Sequence, residues 1–181
     1  MNLYDVITLD IRVFSNAQVL AALNRNLPDA GGRLCGCWVS DIGELSRVMV
    51  LREFAASDEL LDARQRMLLA ANPLGVGEWA TRIESQTYAM FPFLPRIEPA
   101  KLGGCYEMRT YHLKQGGLAP TIEAWKAAVP ARHAMSPLVG AMNALDGGIP
   151  RFLNIWAYQS TDERNRIRAE SVKQGLWPPK G

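Results

Sequence analysis

Polar side chains able to hold a small molecule gather in two segments in the second half of the sequence. They alternate along each segment: Glu107, Arg109 and Tyr111 in the first, Asn154, Trp156 and Tyr158 in the second. In an extended strand alternate residues share one face, so each set points one way. An arginine with aromatic rings and an amide suits a pocket that holds a carboxylate or an enolate. The predicted ligand-binding residues are therefore Arg109, Tyr111, Asn154, Trp156 and Tyr158.

The same residues also have purely structural interpretations. Glu107 and Arg109 can form an ion pair within the fold, and Asn154 can be a hydrogen-bonded amide in a packed aromatic core. For catalysis, the candidates are Arg109, Tyr111 and His133. A histidine titrates near neutral pH, so His133 is a formal general base, or else an ordinary surface residue of a helix-to-strand connection.

The sequence has few residues that could bind a metal or a cofactor. The chain has two histidines, His112 and His133, and three cysteines, Cys35, Cys37 and Cys105. Metal sites need clustered ligands in paired spacing, and an odd cysteine count argues against a disulfide scaffold. We expect small buried thiols, a cytoplasmic location, no metal and no cofactor. Glycine-rich phosphate loops and the G-x-S-x-G pattern are also missing from the sequence.

Composition restricts the possible partners. The 181 residues are 48% hydrophobic and 21% charged, with a net charge of +2. This balance disfavours nucleic acid, and the apolar runs are too short for a membrane span. Arg164, Arg166 and Arg168 are interleaved with acids, and Asp162, Arg166 and Glu170 follow a spacing of four. We interpret this segment as a salt-bridged helix face in solvent.

A series of positions in the two halves of the chain match in residue type at a nearly constant offset. At an offset of 104 residues, the matched pairs include Gly36 with Gly140, Arg47 with Arg151, Phe54 with Tyr158, Asp58 with Asp162, and Arg64 with Arg168. Upstream the offset is 102, and Tyr4-Asp5 matches Tyr106-Glu107. An ordered series of this kind indicates an internal repeat.

Each half follows the order β-α-β-β-α, as the spacing of apolar residues indicates. The predicted strands span residues 4–13, 34–40, 47–55 and 81–93 in the first half, and 105–114, 138–144 and 151–158 in the second. Helices are expected after Ser15 and Ser57, from about Leu118 until Pro130 ends it, and after the cap Thr161. Ser15 to Gln18 has the spacing of a capping box.

These elements predict an α+β fold of tandem ferredoxin-like βαββα(β) repeats with antiparallel sheets. The first repeat covers residues 1–97 and the second covers residues 98–181. The second repeat lacks a fourth strand of its own. The fourth strand normally pairs with the first, so the second repeat should have an open edge. Open edges are usually covered by another chain, and we expect a homodimer or a higher homo-oligomer.

Three segments resemble the NIPSNAP family: Tyr106-Glu107-Met108-Arg109-Thr110-Tyr111-His112-Leu113, Ser136-Pro137-Leu138-Val139-Gly140, and Asn154 to Arg164. The resemblance implies a dimeric α/β barrel, a group that includes cofactor-poor monooxygenases and isomerases. The family has no agreed reaction, and fold alone does not choose one. We expect an oligomeric binding or scaffold protein. The alternative is a small-molecule enzyme, of the cofactor-free monooxygenase or isomerase type, with a cavity of several hundred Å³ in the second repeat.

Overall fold

The computed structural model describes residues 2–179, and the chain divides into two compact units between Ala89 and Met90. The division after residue 97, inferred from the repeat, stays a prediction. None of the helices within residues 2–179 has the length and apolar character needed to cross a bilayer.

The first unit consists of four strands and two α-helices. In chain order they are β1 (Leu3–Ile11), α1 (Asn16–Asn26), β2 (Arg33–Val39), β3 (Arg47–Phe54), α2 (Ser57–Leu69) and β4 (Ala80–Met90). Strand β1 lies between β3 and β4, and β2 pairs with β3, all antiparallel. The core forms where alternate apolar residues of β1, such as Ile7 and Leu9, meet Val19 and Leu23 of α1. Burial of this alternating face stabilises the unit.

The second unit has three strands and two helices. They are β5 (Cys105–His112), α3 (Leu118–His133), β6 (Leu138–Ala144), β7 (Arg151–Tyr158) and α4 (Thr161–Lys173). Strand β7 is buried along its whole length and pairs antiparallel with both β5 and β6. Among the described strands, β5 pairs with β7 alone. This is the open edge that the missing fourth strand predicted.

The predicted fold class is confirmed: each unit follows the ferredoxin-like β-α-β-β-α order with antiparallel strands. Strands β3 and β7 begin at Arg47 and Arg151, the positions that the sequence offset matches. Strand ends differ slightly from the expected ones. Strand β1 ends at Ile11, two residues early, because the chain turns away at Phe14, whose φ is +66°.

Ser15 occupies the N-cap position of α1 without forming the predicted capping bond, and the predicted caps Ser57 and Thr161 are wrong. The Ser15 hydroxyl donates to the carbonyl of Arg12 at 2.6 Å and makes no bond to its own helix. Ser57 lies inside α2, where its hydroxyl donates to Asp58. Thr161 begins α4, but the cap is Ser160, which accepts from the Glu163 amide at 3.1 Å. For Ser15 and Ser57, a nearby partner decides where the short hydroxyl points.

Pro130 does not end its helix. Helix α3 continues through Pro130 to His133, and the Ala134 amide donates to the Pro130 carbonyl at 3.3 Å. Proline removes one amide from the helix but leaves its own carbonyl able to accept. The extra turn carries Arg132 into the interior, where its side chain is 2% exposed.

Candidate functional site

The predicted site residues of β5 and β7 face one small pocket in the second unit. Antiparallel pairing places Arg109 opposite Asn154 and Tyr111 opposite Phe152. The pocket has room of about 10 Å³. It is lined by Glu107, Arg109, Tyr111, Arg132, Asn154, Trp156, Tyr158, Arg168 and Trp177. Such a space accepts about one water-sized atom, so the cavity of several hundred Å³ expected for an enzyme is absent from this pocket.

Glu107 is bound by two arginines of α4. Arg168 donates to both of its carboxylate oxygens, at 3.0 and 3.2 Å, and Arg164 donates through Nε at 3.1 Å and through a second nitrogen. Burial alone raises the pKa of Glu107. The Arg164 hydrogen bond and the charges of Arg168, Arg164 and Arg109 outweigh burial, so the pKa lies below its ordinary value of 4.5. Glu107 is therefore a fixed anion near neutral pH.

Arg109 is not the ion-pair partner of Glu107. Its guanidinium carbon lies 5.3 Å from the centre of the Tyr111 ring. Within residues 2–179, its guanidinium has neither a hydrogen bond nor an ion pair. The Tyr111 ring is itself stacked on Phe152 with centroids 5.1 Å apart. Arg109 thus lies against an aromatic face with its donors available to the pocket.

Asn154 uses its amide to tie the two strands together. Its Nδ2 donates to the Arg109 carbonyl at 3.0 Å, and its Oδ1 accepts from the Trp156 indole at 3.1 Å. Asn154 is 1% exposed, so these bonds satisfy polar groups that burial would otherwise penalise. This is the hydrogen-bonded core amide that the sequence left as an alternative.

Arg132 is a buried cation held by neutral groups. It donates to the Ser136 hydroxyl at 2.7 Å and to the Tyr158 hydroxyl at 2.9 Å. Its guanidinium carbon lies 4.4 Å over the Trp156 ring. The buried Nε atom has no partner, and no carboxylate of residues 2–179 lies within ion-pair distance. Buried charges are normally paired, so this arrangement is unusual.

Tyr158 stays protonated beside this cation. Burial raises its pKa above the ordinary 10.0, with the Arg132 charge opposing the shift and the Glu107 charge adding to it. The phenol is therefore neutral at physiological pH and accepts the Arg132 hydrogen bond with its oxygen.

The histidines lie away from the pocket lining. His133 is exposed at the end of α3, where Nδ1 accepts from the Leu138 amide at 3.1 Å, and His112 is exposed on β5. Residues 2–179 contain no cluster of three or more histidine, cysteine or acidic side chains arranged to hold a metal. Burial raises the pKa of Cys37 to about 11, which keeps that thiol protonated and unreactive.

Sequence reasoning missed three arginines of this pocket region. Arg164 and Arg168 were interpreted as part of a solvent-exposed face, but both turn inward to Glu107. Arg166 is exposed and, within the described residues, forms none of the predicted ion pairs with Asp162 or Glu170. Arg132 was hidden by the assumption that Pro130 ends the helix. A signal for Arg168 was present, because the repeat matches Tyr4-Asp5 and Arg64 to Tyr106-Glu107 and Arg168.

The first unit shows the matching ion pair in a more complete form. Asp5 accepts from Arg64 at 3.0 Å, from Arg52 at 2.7 Å and from the Ser85 hydroxyl at 2.6 Å. Asp5 and Arg52 are 0% and 2% exposed. Arg52 occupies the position that the offset assigns to Trp156, so a strand supplies the buried arginine here and a helix supplies it in the second unit.

Fold and site together define a ferredoxin-like α+β protein whose second unit has an aromatic pocket rich in arginine. The NIPSNAP family model matches residues 4–95 and 106–180. The chain therefore belongs to the NIPSNAP family, as the resemblance of its motifs predicted.

The chain is also similar to individual known proteins. The Protein NipSnap homolog of Dictyostelium discoideum is 26% identical over 162 residues, which cover 81% of this chain and 66% of that protein. The chain thus spans slightly less than two thirds of that relative. A NIPSNAP family protein from Agrobacterium tumefaciens is 18% identical over 52% of this chain and 98% of its own, with a TM-score of 0.44. An anthrone oxidase-like protein is 10% identical, with a TM-score of 0.67 over 97% of this chain and 84% of its own. At this identity the likeness shows the fold alone.

Proposed function

We propose that the chain is a self-associating binding or scaffold protein that does not turn over a substrate. The open edge of β5 carries the proposal. In the first unit, β1 is paired on both sides, whereas β5 is paired only with β7 within the described chain. An unpaired edge presents a row of amide and carbonyl groups to another strand. A second copy of this chain, paired along β5, is the occupant that we propose.

The pocket chemistry supports binding over turnover. General acid-base catalysis works best with a group whose pKa lies near the operating pH. Among the residues that line the pocket, Glu107 has a lowered pKa and Tyr158 has a raised one. Room for about one water-sized atom also suits a single polar group better than a whole substrate. The proposed location remains the cytoplasm, on the ground of the odd cysteine count.

Self-association is tested by light scattering on the purified chain at micromolar concentration. The wild type should have at least twice the mass of one chain. The double variant Thr110→Lys with His112→Lys places like charges opposite each other across an antiparallel pair of β5 strands. Their repulsion should separate the two chains, so the measured mass should fall to that of the monomer. Both positions are exposed within one chain, so the fold should persist.

The matched control places the same two charges elsewhere on the first unit. Gln18→Lys with Asn24→Lys changes two exposed positions of α1 and should leave the mass unchanged. A monomeric wild type would refute the proposal. Equal dissociation of both double variants would also refute it, because that result would show a general effect of charge.

The second candidate is a small-molecule enzyme of the cofactor-free monooxygenase or isomerase type. Arg109 and Tyr111 line the pocket together with Asn154 and Trp156. The available guanidinium of Arg109 would hold a carboxylate or an enolate. The structural neighbour named as oxidase-like shares only the fold. Oxygen uptake with enolic aromatic compounds tests this candidate: turnover by the wild type that is lost in Arg109→Gln would favour it over a scaffold.

A further inference from the structure

The second unit buries a positive charge with which none of the carboxylates in residues 90–179 pairs. Arg132 is 2% exposed, and its hydrogen bonds end on the neutral hydroxyls of Ser136 and Tyr158. The aromatic face of Trp156 compensates part of the charge. A desolvated guanidinium is stabilised most strongly by an anion, which the described residues do not supply to it.

The nearby carboxylate is already engaged. Glu107 is bound by both Arg164 and Arg168, so its charge is more than matched on α4. Arg109 lines the same pocket without a hydrogen-bond partner in the described chain. The pocket is therefore lined by three arginines, Arg109, Arg132 and Arg168, against the single carboxylate of Glu107. Its lining has a net positive charge.

The first unit compensates the charge of its own buried arginine, Arg52, with a carboxylate of the same unit. Arg52 has the same 2% exposure as Arg132, and it bonds directly to the Asp5 carboxylate at 2.7 Å. Its Nε is also unpaired, so an unpaired Nε alone does not distinguish the two sites. Arg132 differs because no carboxylate of residues 2–179 pairs with it and because it lines the open space of the pocket.

We propose that this pocket binds the carboxylate group of a small organic anion between Arg132 and Arg109. The room of about 10 Å³ accepts one carboxylate oxygen, and the rest of the molecule lies at the mouth beside Tyr111 and Trp177. Two guanidinium groups supply charge-assisted hydrogen bonds, and the aromatic rings exclude water from them. This inference is independent of self-association and requires no turnover. It shares the pocket, Arg109 and Tyr111 with the enzyme alternative and adds Arg132.

The probe is sodium acetate, compared with acetamide, which has nearly the same shape and no charge. Titration of the full chain is followed by isothermal calorimetry and by tryptophan fluorescence, since Trp125, Trp156 and Trp177 pack against one another. Acetate should bind in a saturable manner with a Kd on the order of millimolar, as expected for so small a ligand. Acetamide at the same ionic strength should produce no saturable change.

Four variants separate this site from general charge effects. Arg109→Gln should weaken acetate binding about tenfold, the loss expected for one charge-assisted hydrogen bond. Arg132→Met should abolish binding. If that variant does not fold, Arg132→Lys keeps the charge, loses the planar fork and should weaken binding about tenfold. Arg166→Gln, an exposed arginine of α4, should bind like the wild type.

Some results would overturn the proposal. They are the absence of saturable acetate binding by the wild type, equal binding of acetamide, or equal losses in Arg109→Gln and Arg166→Gln. The mass of each sample is measured in parallel. A wild type that self-associates but does not bind acetate refutes this inference and leaves self-association standing, and a monomeric wild type that binds acetate does the opposite.

Discussion

The two units share an order of elements but compensate their buried arginines differently. In the first unit, Asp5 has two arginines and a serine around it, and Asp5 and Arg52 are closed to solvent. In the second unit, the matching Glu107 is held by α4 near the surface, while Arg132 lies inside among aromatic rings. Within residues 2–179, the buried Arg52 pairs with a carboxylate and the buried Arg132 does not. This difference indicates where a ligand would add stability.

The largest expected effect on stability comes from removing the charge of Asp5 in the first unit. Asp5→Asn keeps the shape of the side chain but removes the negative charge that faces Arg52 and Arg64, and Arg52 is fully buried. Removing one partner of a buried ion pair costs about 3–5 kcal/mol. We expect a loss of that size in the free energy of unfolding, measured with urea.

Asp10→Asn is the matched control on the same strand. Asp10 pairs with Arg47 at 2.8 Å, and its side chain is 32% exposed. A surface pair of this kind contributes about 0.2–1 kcal/mol. Equal losses for Asp5→Asn and Asp10→Asn would contradict the view that burial makes the Asp5 cluster critical.

A smaller effect is expected for Glu107→Gln in the second unit. Its arginine partners are 32% and 36% exposed, so water takes over part of the interaction once the carboxylate is removed. We expect a loss of about 1–2 kcal/mol in the free energy of unfolding, from the charged hydrogen bonds after solvent screening. Urea unfolding of Asp5→Asn and Glu107→Gln side by side measures the contrast. A loss in Glu107→Gln as large as in Asp5→Asn would erase the distinction between the two units.

The smallest effect is a change in how stability depends on pH. The pKa of Glu107 is lowered on folding, so its contribution is fully present above the ordinary value of 4.5 and is lost as the pH falls through the lower folded value. Thermal unfolding between pH 3 and pH 7 should show a decline below about pH 4.5 that is shallower in Glu107→Gln. Identical slopes in the two proteins would show that Glu107 does not link folding to protonation.

Much of the fold was accessible from the pattern of residue types. The strand starts at Arg47 and Arg151 and the open edge of β5 followed from the alternation of apolar residues and the matched halves. The cap positions Ser57 and Thr161, the capping bond of Ser15 and the end of α3 were not predicted correctly. A short hydroxyl has several local partners of similar energy, and a proline removes one amide without having to end its helix. Packing against the rest of the unit then decides among them.

The candidate site was predicted only in part. Arg109 and Asn154 were predicted as ligand-binding residues of two strands, and the structure pairs these strands and brings both residues to one pocket. The sequence did not reveal that Glu107 would pair with Arg164 and Arg168, since both lie more than fifty residues away along the chain. Nor did it reveal that Arg132 would be buried, because that depends on one helical turn beyond Pro130.

By itself, the sequence determined the family, the order of elements in each unit and the strands that carry the polar residues. These features depend on the spacing of residue types along the chain, because that spacing decides which residues share one face of a strand or a helix. Only the tertiary structure decided which charges meet. Ion pairing and burial depend on distances between segments remote in sequence, and a side chain such as Arg132 becomes an uncompensated cation only when the surrounding elements exclude water from it.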